Sequence, residues 1–469
     1  MRRSILTSVA LLAGAASPAS IVATLPSTAE AAVSVPAPQA KPNIVLITID
    51  DARYDDQQVL DNVQRLVGAR AGLGGSYRNL VGATPLCSPT RATWLTGQYA
   101  HNHGVWDNNP DDGQGWPAFR PSEANALPVW LQDAGYRTGF LGKYINGYTD
   151  PTHVPDGWNR WKVGVGKTTY NYRNFTISDN GVARSINGGA YSTNWYGSQA
   201  VDWINDWTSD LAPRPFYLQV NFVAPHDPAT PADHYRDTVN AGRPESLAFD
   251  EADVTDKPSW IRAKDRMTDT EIATRIDKRN QRLETLKSVD DQVGRIVDAL
   301  RTNRVLANTL IIVTSDNGFL LGEHRIQFGK NYPYNESVRL PLFIRGPGFR
   351  TRQLDMPVST VDIAPTIAQA AGAQPRGSFE WDGKPIQNGI SSDRVRLIES
   401  RGYMSLPPYK AAIDGDGALY VEYVGDETEL YRADDTDQRF SRDQSQDPDD
   451  IALKLALETE LTAMRQAIR

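Results

Sequence analysis

Four short stretches collect side chains able to do chemistry: Asp50-Asp51, Gly142-Lys143-Tyr144, Ala224-Pro225-His226 and Asp316-Asn317. A fifth, Cys87-Ser88-Pro89-Thr90-Arg91, holds the only cysteine of the chain. Asp50, Asp51, Asp316 and Asn317 offer hard oxygen ligands, which suit Ca2+ or Mg2+ rather than zinc. No His-Glu-x-x-His or paired-cysteine zinc motif accompanies them. A lone cysteine rules out an internal disulfide and by itself reads as a buried small residue. Its surroundings change that reading. Proline tolerates the first helical turn, and a helix over Thr90 to Leu95, ended by Gly97, sets Cys87 at a helix N-terminus. Free N–H groups and the helix dipole favour negative charge there, and Arg91, four residues on, projects to the same side. A polar nucleophile beside an arginine in that position is suited to binding an oxyanion.

The elements that must deliver these residues are legible as patterns. Asn43 to Ile49 is a nearly continuous β-branched run, as expected of a strand buried on both faces, and it leads into Asp50-Asp51. Tyr136 to Leu141 leads to Lys143, Phe216 to Val223 to His226, and Leu310 to Thr314 to Asp316-Asn317. Helical stretches lie between them: Leu127 to Ala134, Ser198 to Trp207, and a long one from about Asp269 to Arg301 with Leu283, Leu286, Val289, Val293, Ile296 and Leu300 at helical spacing. Strands alternating with helices predict an α/β sheet, in which ligands bind beyond the carboxyl ends of the strands. Any one of these pairs could merely cap a turn. Four together make a site.

From about Arg394 the pattern changes. Short strand-like pieces (Arg396 to Glu399, Tyr409 to Ile413, Ala418 to Tyr423) precede an apolar-periodic helix from Asp449 to Ile468, and Asp414-Gly415-Asp416-Gly417 is a hairpin signal. A small antiparallel sheet with a helix packed on it is expected. Eleven tryptophans include Trp158, Trp161 and Trp195, for which packing under long loops is favoured over sugar stacking.

The 469 residues suffice for a large core plus a smaller one, with 40% hydrophobic and 23% charged residues typical of a globular chain. A net charge of −8 argues against general nucleic-acid binding, which wants a basic surface. Arg2-Arg3, the apolar run Ile5 to Ala16 and the small-residue site Ala29-Glu30-Ala31 read as a cleavable export signal over residues 1–31, with a hint of the twin-arginine route. Residues 32–41 read as a flexible leader. The apolar run is shorter than the ~20 residues of a membrane span, so no span is expected in a secreted or extracytoplasmic mature chain.

Cys87-x-Pro89-x-Arg91 followed by Ala92-Thr93-Trp94-Leu95-Thr96-Gly97 resembles the sulfatase maturation signature, and the likeness runs in family order from about Pro42 to Gly348. The resemblance implies an alkaline-phosphatase-like fold: a large mixed, mostly parallel sheet flanked by helices as a catalytic domain over 42–390, then a C-terminal α+β subdomain over 391–469. It implies hydrolysis of sulfate esters by a formylglycine made from Cys87 by a formylglycine-generating enzyme, and one calcium ion held by Asp50, Asp51, Asp316, Asn317 and residue 87. Arg91, Lys143, His226 and Lys330 fall at family positions that act on the sulfate and leaving group. Many sulfatases carry histidine two residues after the first lysine, but Ile145 stands there. The run Gly142 to Tyr148, His101-Asn102-His103, Gly157-Trp158-x-x-Trp161, Tyr170-Asn171-Tyr172 and Leu286 to Asp291 are instead similar to the N-acetylglucosamine-6-sulfatase and heparan endosulfatase branch. His101, His103, Asn146 and His324 are candidate substrate contacts, equally open to structural roles. A sulfated sugar of 6-O-sulfated glucosamine type, or an aryl sulfate, is the expected substrate. A phosphonate monoester or phosphodiester hydrolase and a non-catalytic sulfoglycan-binding relative are the alternatives.

Overall fold

The apolar run after Pro42 forms a strand because both of its faces find cover. Ile44 and Leu46 enter one hydrophobic cluster, while Val45, Ile47 and Ile49 enter another on the opposite face, all without solvent exposure. The computed structural model describes residues 41–466 except Ala71, Leu73, Arg350, Met404, Ser405 and Gln444, and Lys41–Arg469 make up one compact unit. The expected export signal over 1–31, and the leader up to residue 40, lie outside the described residues.

The strands are β1 (Asn43–Asp50), β2 (Gly75–Val81), β3 (Arg137–Gly142), β4 (Arg160–Gly164), β5 (Phe175–Asp179), β6 (Val182–Ile186), β7 (Phe216–Pro225), β8 (Thr309–Ser315), β9 (Arg339–Arg345), β10 (Arg352–Leu354) and β11 (Val358–Ser359). They form one sheet in the order β10-β2-β9-β8-β1-β7-β3-β4-β5-β6, with β11 also on β2. The central β8, β1, β7, β3 and β4 run parallel, whereas β9, β5 and β6 pair antiparallel with their neighbours. The expected mixed, mostly parallel sheet is present. Because β8, β1, β7 and β3 are parallel neighbours, the four chemistry-bearing strand ends emerge side by side at one edge.

Helices cover both faces. The Asp269–Thr302 helix opens with a capping box, in which Thr268 and Glu271 each bond the other's backbone N–H, and it buries Leu283, Leu286, Val289, Val293, Ile296 and Leu300. On the other face, Trp130 of the Leu127–Asp133 helix and Ile367 of the Ile363–Ala371 helix join Trp158 and Trp161 in the core. Trp161 sits against Phe140, Tyr144 and Tyr148, so these tryptophans are packing residues.

At the C-terminal end, β12 (Arg396–Ser400), β13 (Tyr409–Ile413), β14 (Leu419–Tyr423) and β15 (Thr428–Tyr431) form an antiparallel meander. Asp414 Oδ1 accepts the backbone N–H groups of Asp416, Gly417 and Ala418, closing the β13–β14 hairpin. Strand alternation divides this sheet. Leu397, Ala412, Tyr420 and Leu430 pack on Leu457 and Leu461 of the Pro448–Gln466 helix, whereas Ile398, Ala411, Val421 and Tyr431 pack toward Val81, Leu320 and Tyr334. Among the described residues, no helix is long and apolar enough to cross a membrane.

Candidate active site

The Cys87 motif forms a helix, Cys87–Thr96, starting three residues earlier than the pattern alone suggested. Gly97 ends it in the left-handed region at φ 72°, where glycine carries no Cβ penalty. Its N-cap, Leu86, has no capping side chain, and Asn108 Oδ1 takes that role from a distant loop by accepting the Ser88 N–H at 2.8 Å. Cys87 itself has no solvent exposure.

Around its sulfur the strand ends converge. Cys87 Sγ lies 3.5 Å from Asp50 Oδ1 and 3.9 Å from Asp51 Oδ1, and Lys330 Nζ approaches it at 2.9 Å. Lys330 also pairs with Asp51, and Lys143 Nζ pairs with Asp50 Oδ2 at 2.6 Å. Arg91 donates from Nε and Nη2 to Asp316 Oδ2 at 3.0 and 2.8 Å, and from Nη1 to the Lys143 carbonyl at 2.7 Å. It therefore ties the Cys87 helix to the ends of β8 and β3 at once. His226 Nε2 stands 3.9 Å from Asp51 Oδ2, and its Nδ1 lies 2.8 Å from the Asp227 carbonyl. A carbonyl only accepts, so Nδ1 carries the proton and Nε2 of the neutral ring faces the site with a lone pair.

The backbone is bent to achieve this. Asp51 is left-handed at φ 73°, a conformation that bulky L-residues avoid. Its N–H donates to Asp316 Oδ1, its carboxylate accepts from Asn317 Nδ2 at 2.6 Å, and its carbonyl accepts from Arg282 of the long helix. Gly142, at φ 99°, would place a Cβ 1.9 Å from the Asn221 carbonyl, so only glycine lets β3 turn Lys143 into the site.

Charge balance sets the protonation. Burial alone would raise the Asp50 carboxyl, but Lys143, His226, Arg91 and Lys330 outweigh it and hold it well below the ordinary range. Asp51 is likewise depressed against burial by Lys330 and His226. Asp316 goes the other way, to about 6, through burial and the neighbouring Asp50 charge. Burial pushes the Cys87 thiol up to about 12, with Asp50 and Asp316 adding to the effect against the two lysines. His226 is lowered by burial, with Asp50 and Asp51 opposing.

One oxygen each of Asp50, Asp51 and Asp316 falls within 4.8 Å of the other two, and all three residues are buried. Asn317 Oδ1, also buried, has no hydrogen-bond partner among the described residues. Three buried carboxylates and an orphaned amide oxygen fit a hard divalent cation of the calcium type, which completes its coordination from such donors.

Of the remaining candidates, Asn146 accompanies the Cys87 loop, its N–H donating to Ser88 Oγ at 3.2 Å while its buried Oδ1 has no partner. His101 lies further along that loop, against both Glu399 oxygens at 2.9 Å. His103 is enclosed, with Nε2 on Thr93 Oγ1 and Nδ1 accepting the Val105 N–H. His324 has no exposure, contacts Glu251 at 3.2 Å and stacks on Tyr334. The structure joins Cys87, Arg91, Lys143, His226, Lys330, Asp50, Asp51, Asp316 and Asn317, and gives His103 and His324 partners elsewhere. Tyr170 is an addition. Its ring lies 4.7 Å from His226 and 4.9 Å from Lys143 Nζ, a wall that the Tyr170-Asn171-Tyr172 motif marked in sequence without a role at the site.

The Sulfatase family profile matches residues 42–373, and the chain belongs to that family. It is 33% identical over 388 residues to an arylsulfatase of Volvox carteri, covering 76% of this chain and 60% of that protein. It is 34% identical over 387 residues to the N-acetylglucosamine-6-sulfatase of Capra hircus, covering 77% of this chain and 67% of that protein. The chain thus spans only part of the length of these curated relatives. A solved structure holding its substrate D-glucosamine-2-N,6-O-disulfate superposes with a TM-score of 0.76 at 21% identity, over 91% of this chain and 98% of that one. The fold is the alkaline-phosphatase-like one of this family.

Proposed function

We propose that this chain hydrolyses sulfate esters of sugars, of the 6-O-sulfated glucosamine type, with a formylglycine made from Cys87 and one calcium ion. The observation that carries the reading is the convergence of Cys87, Arg91, two lysines and His226 on a buried three-carboxylate cluster. The likeness to N-acetylglucosamine-6-sulfatase supports the sugar. A formylglycine at residue 87 would supply an oxygen nucleophile in place of the thiol. Calcium, held by Asp50, Asp51, Asp316 and Asn317, supplies Lewis-acid polarisation of oxygen.

The protein's own residues do the rest. Lys143 and Lys330, paired with Asp50 and Asp51 in the free protein, turn to the non-bridging sulfate oxygens and neutralise the charge that grows there. Arg91 keeps its position through Asp316 and holds a positive charge beside residue 87. His226, its Nδ1 proton committed to the Asp227 carbonyl, receives and returns a proton at Nε2, protonating the departing alcohol as imidazolium. A thiol at residue 87 is poorly suited to the task, because its surroundings keep it protonated at neutral pH. Cys87 is inaccessible in the folded chain, so its oxidation by a formylglycine-generating enzyme must precede folding. Export by the 1–31 segment, catalysis by 42–390 and a C-terminal subdomain over 391–469 complete the proposal.

The test is sulfate release from 6-sulfated glucosamine and aryl sulfates, alongside an aryl phosphonate. The protein used should show residue 87 about 18 Da lighter than cysteine by mass. Preferential turnover of the phosphonate, or full activity in Cys87→Ala, would refute it.

A further inference from the structure

A pocket of about 530 Å3 opens between the loop that follows the Cys87 helix and the ends of β12, β13 and β14. Both of its walls lead back to the active site. On one side stands Trp106, two residues before the Asn108 that caps the Cys87 helix. On the other, Tyr409 donates its hydroxyl to the carbonyl of Asn331, the residue after Lys330, at 3.1 Å. The Glu399 N–H, at the pocket edge, donates to the Ala83 carbonyl just ahead of the Cys87 loop at 2.9 Å.

The charges in this pocket are unevenly committed. Glu399 holds the His101 ring and stands 3.9 Å from Lys410, and Glu422 holds Arg465. Arg401 is different. Among the described residues it has no carboxylate partner, and its guanidinium lies 4.4 Å from the centre of the Trp106 ring. An indole fixes the plane of a guanidinium while leaving its in-plane N–H donors free, the fork that matches a carboxylate or sulfate. In a chain of net charge −8 this is a local invitation to an anion, in a pocket whose walls are tied to the loops around Cys87 and Lys330.

We propose that this pocket is a second sugar subsite. It receives the neighbouring residue of a sulfated oligosaccharide, with that residue's anionic substituent on Arg401 and a hydroxyl on the His101 ring, which the buried Glu399 orients. The inference rests on the sulfatase reading and extends it: the enzyme distinguishes its substrate by the sugar next to the one it desulfates.

The experiment uses protein confirmed to carry formylglycine. It compares kcat/KM for disaccharides that share a 6-sulfated glucosamine and differ in the second sugar, which is neutral, carboxylated or sulfated, with an aryl sulfate as reference. At least one anionic disaccharide should exceed the neutral one about tenfold, and which one identifies the anion. Arg401→Ala should bring the anionic-to-neutral ratio close to one, and Trp106→Ala should lower it less. Equal kcat/KM for neutral and anionic disaccharides, or a ratio untouched by Arg401→Ala in protein of wild-type melting temperature, overturns the subsite. If every ester, the aryl sulfate included, stays intact, the sulfatase reading falls and takes the subsite with it.

Discussion

Two buried acidic centres of this protein are built on opposite plans. In the C-terminal half, Glu429 is fully buried and accepts hydroxyl hydrogen bonds from Tyr334, Tyr423 and Tyr431. Each partner is neutral, each sits on or beside the small sheet, and the carboxylate has donors on both oxygens. At the ends of β1 and β8, by contrast, Asp50, Asp51 and Asp316 crowd together, lean on lysines and an arginine, and leave Asn317 Oδ1 without a partner. A saturated network of neutral donors fastens a fold. An unsatisfied cluster with movable cations is what a site for cation and anion needs, because its partners must be able to change.

The contrast can be broken most severely at residue 87. Cys87→Ala should lower sulfate release by at least about a thousandfold while leaving the melting temperature close to wild type. Next come the two centres themselves. Glu429→Ala strands three buried hydroxyls and should cost about 3–5 kcal/mol in a urea titration, with turnover per folded molecule retained. Asp51→Asn should act chiefly on function, removing most turnover and divalent-ion binding. Calcium at a hundred times its Kd should stabilise the wild type by about 2.7 kcal/mol in the same titration and leave Asp51→Asn unchanged.

Smaller effects sharpen the picture. Tyr170→Ala should lower kcat about tenfold, most for esters of poor leaving groups, because His226 loses the ring that holds it; Tyr170→Phe should keep near-wild-type rates. Leaving-group dependence identical to wild type in Tyr170→Ala would remove the tyrosine from the mechanism. A pH effect away from the site concerns Glu336, whose carboxyl is raised from 4.5 to about 8 by burial, with Glu323 adding to it. The folded state binds the extra proton between those values, so its contribution to stability falls as pH rises from 4.5 to about 8 and is level beyond. Glu336→Gln should flatten that decline in stability measured across the interval.

Where a segment carried its own signal, the sequence was a good guide. The Asn43 to Ile49 run became β1 within a residue, the 269–301 helix was found nearly to its ends, and Asp414-Gly415-Asp416-Gly417 made the hairpin that it announced. The short, partly exposed strands β4 to β6 were not anticipated, since they lack a distinctive period, nor was the buried β9, whose antiparallel pairing depends on the path of the chain. The Ser198 to Trp207 helix starts earlier, at Ser192, where Tyr196 and Gly197 are buried. His103 and His324 show the limit for side chains: a histidine looks alike in sequence whether it faces a ligand, a threonine hydroxyl or a buried glutamate.

Sequence alone determined the chemistry available. It supplied one cysteine in a proline-and-arginine motif, oxygen ligands in two pairs, and apolar runs that had to be buried strands with those residues at their ends. Tertiary structure decided which of these groups meet. The order β8-β1-β7-β3, all parallel, brings four strand ends to one edge, and Arg91 binds them to the Cys87 helix. It also placed Tyr170 on His226, carried Arg282 to the Asp51 carbonyl and set Arg401 over Trp106. These pairings join residues far apart in the chain. They depend on strand order and loop path, which local patterns do not encode.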